Sequence, residues 1–217
     1  MIFRDRSEAG RQLAVRLAAY KDTQAQILAL PRGGVPVAYE VARALRAPLD
    51  VFVVRKLGVP GHVELAMGAI ASGGVRVLNQ DTLSELQIDD ATLRAVTESE
   101  IQELRRREDA YRGGLPAPAI SGKIVILIDD GLATGATMHA AVIALRAQSP
   151  RKIVVAVPVA PAETCASLAR HVDEMICVAT PEPFRGVGAW YGDFRQLSDA
   201  DVREILHRAR EWPAPGA

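Results

Sequence analysis

Short apolar runs alternate with longer amphipathic stretches along most of this chain. Several runs are rich in β-branched residues and apolar on both faces, which predicts buried strands at residues 27–30, 49–54, 123–128 and 153–157. Helical spacing lies between them, for example over residues 35–45, and Ser7 is expected to cap a first helix. This alternation predicts an α/β fold in which helices cover both faces of a parallel sheet. Such sheets bind ligands beyond the carboxyl ends of their strands.

The longest helical pattern covers residues 90–112. Glu103 precedes Arg107 by four residues on one face, a spacing that favours an ion pair. Acidic residues flank the arginines at 105–107, and no aromatic stacking partners accompany those arginines. We therefore interpret this face as solvated surface and expect no nucleic-acid partner.

Length and composition narrow the class of protein. At 217 residues the chain suffices for one α/β domain, and we expect a single domain over residues 1–217. Lysine plus arginine equals aspartate plus glutamate at 26 each, so no net field recruits nucleic acid or a membrane. Cys165 and Cys177 have neither CxxC nor zinc-ligand spacing, which favours reduced, packed thiols. The first residues are charged where a secretory signal is apolar, and no apolar run approaches about 20 residues, so we expect a cytoplasmic location.

The sequence VILIDDGLATGAT at residues 125–137 carries the strongest chemical signal. A predicted buried strand ends in two adjacent carboxylates, Asp129 and Asp130, and a loop of small residues then begins a predicted helix. The N–H groups and positive dipole end of that helix suit a phosphate. The carboxylates instead suit sugar hydroxyls, or a Mg²⁺ ion that phosphate oxygens also hold. A phosphorylated ribose carrying magnesium meets all of these requirements.

A second strand-to-helix junction has the sequence LPRGG at residues 30–34. Arg32 supplies a forked cation there, and Pro31 with Gly33 and Gly34 ends the predicted strand. The junction suits a second anion beside the first, because both lie where a parallel sheet binds ligands. The structural alternative is a helix N-terminus with a solvent-facing arginine.

A third segment, residues 55–68, begins with two cations, Arg55 and Lys56, and continues through glycine and proline residues. We predict a segment without regular structure, whose composition fits a mobile lid. His62 and Glu64 are candidate lid contacts, and the alternative is a solvated loop.

Aromatic residues are scarce in the chain but gather in the segment at 181–194. They are Phe184, Trp190, Tyr191 and Phe194. Flat rings can stack on a flat base, but such clusters also fill a core or a dimer contact. The sequence leaves these alternatives open.

The segment at 125–137 resembles the 13-residue signature of the type I phosphoribosyltransferases. It differs at Gly131, where the family usually has an aliphatic residue. A poorly characterised bacterial subgroup of predicted phosphoribosyltransferases is similar in having glycine there. The similarity extends to LPRGG, to RKLGVPGHVELAMGAI and to TPEPFRGVGAWYGDF, and so covers most of the chain.

The resemblance implies a type I phosphoribosyltransferase fold, with a small hood built from residues 1–26 and 181–212. It implies that Asp129 and Asp130 bind the ribose hydroxyls of phosphoribosyl pyrophosphate (PRPP). The 5′-phosphate would be bound by Ala133, Thr134, Gly135, Ala136 and Thr137. The pyrophosphate would be received by Arg32, Gly33 and Gly34, often through a non-proline cis peptide, and neutralised on departure by Arg55 and Lys56. Magnesium would bridge substrate oxygens with no protein ligand assigned, and a homodimer is common in the resembling family.

These features predict a Mg²⁺-dependent phosphoribosyltransferase that passes the phosphoribosyl group of PRPP to a nitrogenous base or other amine and releases pyrophosphate. The alternative is a non-catalytic regulatory protein that binds PRPP. An aspartyl-phosphate phosphatase is disfavoured, because Gly131 stands where that superfamily has a second acid. Neither a P-loop nor a GxGxxG motif is present.

Overall fold

The computed structural model describes residues 2–212, without the side chains of Val63 and Glu64. Its strands are β1 (Gln26–Ala29), β2 (Leu49–Val51), β3 (Val54–Val59), β4 (His62–Ala71), β5 (Val75–Leu78), β6 (Ile124–Ile128), β7 (Lys152–Val159) and β8 (Glu174–Ala179). Within this described chain, five strands form a parallel sheet in the order β2-β1-β6-β7-β8. The other three form an antiparallel sheet in the order β3-β4-β5.

Helices cover both faces of the parallel sheet. The described α-helices are α1 (Arg6–Arg16), α2 (Gly34–Leu45), α3 (Gln80–Glu85), α4 (Asp90–Arg112), α5 (Ala136–Arg146), α6 (Ala162–Ala169) and α7 (Asp199–Arg210). Of these, α3 and α4 contact the antiparallel sheet. On β6, Ile126 and Ile128 face a core shared with α1, α2, α4 and α7, while Val125 and Leu127 face a second core shared with α5 and α6. Consecutive strand residues point to opposite faces, so the sheet is buried on both sides. The predicted α/β fold is confirmed.

Two details at the ends of elements differ from the sequence prediction. Ser7 does not cap the first helix, because the side chain of Asp5 accepts a hydrogen bond from the Glu8 N–H at 2.7 Å and the helix begins at Arg6. The predicted strand at residues 49–54 is divided between β2 and β3. At the break, the Val53 N–H donates to the Ser72 hydroxyl at 2.9 Å instead of to the parallel sheet.

The prediction of an irregular segment at residues 55–68 is wrong. These residues form most of an antiparallel hairpin, β3 and β4, which Pro60 and Gly61 connect. Leu57 and Met67 are fully buried, and their burial stabilises the paired strands. Glycine and proline occupy the turn, while the pairing register shifts on both sides of Gly58. Composition alone misjudged the segment, because its turn-forming residues are confined to one end and one bulge.

The N-terminal segment pairs with the aromatic segment that precedes α7. The Phe3 N–H donates to the Trp190 carbonyl at 3.0 Å, and the Gly192 N–H donates back to the Phe3 carbonyl at 2.8 Å. The ring of Tyr191 lies 5.4 Å from that of Phe3 and 5.0 Å from that of Phe194, between centroids. We call residues 2–6 and 187–195 together the terminal unit. Its role as a hood, and the assignment of residues 1–26 and 181–212 to that hood, stay predictions.

Cys165 and Cys177 are half-buried free thiols that pack against the core on the α5 and α6 side. Glu103 accepts hydrogen bonds from Arg106 and Arg107 at the surface of α4, as the four-residue spacing predicts for Arg107. No helix in the described part of the chain is both long and apolar enough to cross a bilayer.

A buried guanidinium joins the end of α4 to the edge strand of the parallel sheet. Arg112 is 5% exposed, and its Nε donates to the Asp50 carboxylate at 3.1 Å. Arg112 also donates to Glu108 at 2.7 Å and to the Val51 carbonyl at 2.9 Å. Burial raises the pKa of Asp50, and the charge of Arg112 opposes that rise. The two charges therefore depend on each other for solvation.

We expect Asp50→Ala to lower the free energy of unfolding by roughly 3 kcal/mol, the low end for a broken buried pair, because Glu108 still accepts a hydrogen bond from Arg112. Urea unfolding measures this change. Glu103→Ala is the control, since it breaks ion pairs at the solvated surface of α4 and is expected to change stability little. Equal losses in the two variants would contradict this account of the buried pair.

Candidate functional site

The two strand-to-helix junctions singled out in the sequence lie side by side. β1 and β6 are parallel neighbours, with Ala29 opposite Ile128, and the Leu30 N–H donates to the Ile128 carbonyl at 2.8 Å. Residues 31–34 and the paired acids therefore leave the sheet at the same edge. The Pro31–Arg32 peptide is cis, in agreement with what the resemblance implies.

Glycine at position 33 permits direct contact between the two junctions. A Cβ atom on Gly33 would lie 2.0 Å from Asp130 Oδ2, and one on Gly34 would lie 2.7 Å from the Ile128 carbonyl oxygen. Neither position can hold a larger side chain without movement of its neighbour. The backbone of the LPRGG junction thus lies directly against the acid pair, while the side chain of Arg32 is exposed.

The small-residue loop forms an open cup at the start of α5. Ala133, Thr134, Ala136 and Thr137 are all exposed, and the first N–H groups of the helix have no partners within it. Gly135 has a φ of 75°, and a Cβ atom there would lie 2.9 Å from Thr164 Cγ2. The Thr164 hydroxyl on α6 donates to the Ala133 carbonyl at 2.8 Å. The contacts with Thr164 thus anchor the loop on α6. Its donors and the positive dipole end of α5 face solvent, which suits an anion.

The two acids share a partly buried environment. The Asp130 N–H donates to Asp129 Oδ1 at 2.8 Å. Burial, and then the adjacent charge of Asp130, raise the pKa of Asp129 well above its ordinary value. Burial also raises the pKa of Asp130, and a hydrogen bond from Arg6 opposes that rise. Two neighbouring carboxylates in such a place favour a ligand that brings hydroxyl donors or a cation.

Sequence reasoning missed Arg6 and Tyr191 as contacts of Asp130. Arg6 Nε donates to Asp130 Oδ2 at 2.8 Å, and its side chain is only 10% exposed. The Tyr191 hydroxyl donates to the main-chain carbonyl of Asp130. Both residues belong to the terminal unit, far from position 130 in sequence. No local spacing marks them, so only the fold brings these side chains to the acid.

The structure explains why glycine stands at position 131. A Cβ atom there would lie 2.6 Å from Val187 Cγ1 and 2.9 Å from the Val159 carbonyl oxygen. The same carbonyl accepts a hydrogen bond from the Leu132 N–H at 3.0 Å. The aliphatic side chain usual at this position in the resembling family would collide with the terminal unit.

The hairpin brings one of its two cations to the cup. Lys56 lines a cavity of about 330 Å³ together with Ala136 and Thr137. Arg55 instead donates to Glu100 on α4 at 2.6 Å. Adjacent strand residues point to opposite faces, so the structure does not bring Arg55 to the place where Lys56 lies.

The candidate lid contacts lie near the tip of the same hairpin. His62 is exposed at the start of β4, beside the turn. The side chain of Glu64 lies outside the described residues, so its predicted contact is not placed. The lid function stays a prediction, now attached to a hairpin instead of an irregular loop.

The aromatic segment mainly forms a small core. Tyr191 is 6% exposed and packs with Phe3, while the rings of Phe184, Trp190 and Phe194 are half-buried around them. This arrangement supports the core interpretation for Tyr191. Arg6 lies over the Phe194 ring, so the base-stacking alternative is left to Phe184 and Trp190. Among residues 2–212 with described side chains, no group of three or more histidine, cysteine, aspartate or glutamate residues could hold a metal ion.

Comparison with known proteins identifies the family. The family model described as phosphoribosyl transferase domain matches residues 6–184. Two Mycobacterium tuberculosis proteins, whose names give phosphoribosyl transferase as a provisional assignment, are each 48% identical over 217 residues; the match covers 100% of this chain and 49% of theirs. The chain thus spans about half the length of the curated relatives it matches. A crystal structure of TT1426 from Thermus thermophilus has a TM-score of 0.86 at 43% identity, and the match covers 96% of this chain and 99% of that one.

With its paired acids and both strand-end loops inside the matched region, the chain belongs to the phosphoribosyl transferase domain family.

Proposed function

We propose that this protein is a Mg²⁺-dependent phosphoribosyltransferase that uses PRPP and a nitrogenous base or other amine, and that releases pyrophosphate. The contact between the Gly33 backbone and the Asp130 carboxylate carries the proposal, because it sets the acid pair against one loop suited to an anion. The exposed cup of residues 133–137 follows the same acids. A phosphorylated sugar with a second anionic group fits this order of donors and acceptors.

Each part of PRPP has a proposed place. The ribose hydroxyls donate to Asp129 and Asp130, and the 5′-phosphate accepts from the backbone and hydroxyl donors of residues 133–137. The pyrophosphate lies against residues 32–34. Lys56, on the cup side of the hairpin, is the proposed cation for the departing group. Arg55 would have to leave Glu100 to join it, so we leave Arg55 out of this arrangement.

Transfer requires the bond between C1′ and the pyrophosphate oxygen to break, with its electron pair leaving on pyrophosphate. C1′ then gains positive character, which nearby carboxylates and substrate oxygens can stabilise. The lone pair of the acceptor nitrogen forms the new bond to C1′, and that nitrogen afterwards loses a proton. Closure of the hairpin would exclude water, which would otherwise compete for the same carbon.

The residues at the site fit a magnesium ion that arrives with its substrate. Among the residues with described side chains, no third acid, histidine or cysteine joins the two adjacent carboxylates to form a metal-binding group. Mg²⁺ is commonly held by one or two carboxylates together with phosphate oxygens and water. When bound, Mg²⁺ would offset the charge of the pyrophosphate. A homodimer and a cytoplasmic location stay predictions.

Calorimetric titration of the purified protein with PRPP and Mg²⁺ tests the binding half of the proposal. A pyrophosphate-release screen over purines, pyrimidines and other amines tests the transfer half. Heat of binding followed by release with one acceptor class supports the transferase. Absence of PRPP binding would overturn both this function and its regulatory alternative.

One observation favours the alternative of a non-catalytic protein that binds PRPP as a signal. Asp130 is already paired with Arg6 inside the chain, so part of its charge is neutralised before any ligand arrives. Binding heat without pyrophosphate release from any acceptor supports this alternative.

We expect Asp129→Asn combined with Asp130→Asn to reduce turnover by at least about 100-fold, because both ribose contacts lose their charge. Pyrophosphate release measures turnover, and circular dichroism confirms that the variant is folded. Asp81→Asn combined with Asp109→Asn is the matched control, since it removes the same charge from exposed positions. Turnover equal to that of the control would exclude the proposed ribose contact.

We expect Gly33→Ala to weaken PRPP binding about tenfold or more, because its methyl group would displace the Asp130 carboxylate. The carboxylate is the end of a movable side chain, so the fold should persist. Calorimetry measures the affinity, and thermal unfolding checks the fold. Gly58→Ala is the control for the effect of an added methyl group on stability, since a Cβ atom there would meet no atom within 4 Å. Unchanged affinity in a folded Gly33→Ala protein would show that ligand binding does not need the observed acid position.

A further inference from the structure

Arg6 connects three parts of the molecule through a single guanidinium group. Its Nε donates to Asp130 Oδ2 at 2.8 Å, and its Nη1 donates to the Arg195 carbonyl at 2.9 Å. Its Cζ lies 3.9 Å from the centroid of the Phe194 ring, which places the cation over the aromatic face. The proposed function gives no role to this residue.

Two contacts besides Asp130 hold the guanidinium group in place. The Phe194 ring and the Arg195 carbonyl fix its plane, and Asp5 caps the helix that Arg6 begins. The Asp193 N–H donates to the Arg4 carbonyl at 2.7 Å, which ties this helix start to the rest of the terminal unit. A planar cation held in this way offers a donor of fixed direction, in contrast to a mobile surface arginine.

The Arg6 contact leaves acceptor capacity on Asp130. An ionised carboxylate has about four acceptor positions on two oxygens, and Arg6 uses one of them on Oδ2. The carboxylate also lies against Gly33, so its orientation is set from two sides. A ribose hydroxyl can therefore donate to Asp130 while Arg6 stays in place.

We propose that Arg6 is a positioning residue for the ribose site: through its hydrogen bond it holds the Asp130 carboxylate in the orientation that the sugar hydroxyls need. Arg6 itself contacts no reacting atom. This inference rests on the proposed function, because it assumes that Asp130 binds ribose. It gives the terminal unit a role in ligand binding, and it explains why Arg6 at the start of α1 is paired with Asp130.

The test compares ligands with and without a ribose. We expect Arg6→Met to raise the Kd of PRPP, and of ribose 5-phosphate, about tenfold, because the sugar hydroxyl would then donate to a carboxylate that is no longer held in place. Inorganic pyrophosphate lacks the sugar, and its Kd should change less than about twofold. Arg6→Lys keeps the charge but not the planar fork, so it should restore part of the affinity. Calorimetry with Mg²⁺ measures all of these values.

Arg11→Met is the matched control, because Arg11 lies on the same helix, is 46% exposed and makes a 3.5 Å contact with Glu40. It should leave the affinity for all three ligands unchanged. A second measurement repeats Arg6→Met in the Asp130→Asn background, where it should change the PRPP Kd less than about twofold.

Three outcomes would overturn the inference. Equal loss for all three ligands would indicate a structural role, unchanged affinity would indicate no role, and tighter PRPP binding would show that Arg6 competes with the sugar. If Arg6→Met fails to fold, Phe194→Leu replaces it. We then expect a smaller loss of affinity for PRPP and ribose 5-phosphate, and unchanged affinity would count against the proposal. Wild-type protein that does not bind PRPP would instead refute the proposed function, so the two failures are distinguishable.

Discussion

The arrangement of this protein depends on two neighbouring carboxylates that are kept partly away from water at the end of a buried strand. Desolvation raises the pKa of both acids, and each therefore needs donors or a cation nearby. The protein supplies one partner itself, because Arg6 donates to Asp130. This constraint explains why glycine, and no larger residue, faces the acids from the neighbouring loop.

The parallel sheet makes this concentration of acids and backbone donors possible. Adjacent strands β1 and β6 end at the same edge, so two loops that lie about 100 residues apart in sequence become neighbours. The apolar residues of β6 anchor the strand in cores on both faces. A rigid strand end then limits how far the acids can move. The fold thus places the acids and the two loops through stiffness as well as through proximity.

The parts of the structure that could be predicted from sequence are those with a local physical signal. The buried strands, the α4 helix and the junctions at residues 30–34 and 125–137 are all indicated by periodicity or by charge beside apolar runs. The hairpin at residues 54–71 was missed, because its glycines and proline suggest a loop when cross-strand pairing is unknown. Arg6 was missed for a related reason. Its partner lies 124 positions away, and neither residue's neighbours indicate the contact.

The close approach of residue 131 to Val187 has a consequence for how related sequences can differ. The backbone of Gly131 and the side chain of Val187 share the space beside the acid pair. That space cannot hold a bulky side chain from both positions. A relative with a larger residue at position 131 needs a smaller residue at position 187 or a displaced segment there, together with a small shift away from the carbonyl of residue 159. The two sites should therefore covary across the family, and the pairing of side-chain sizes would distinguish members that cover this edge of the sheet with the same segment from those that use another.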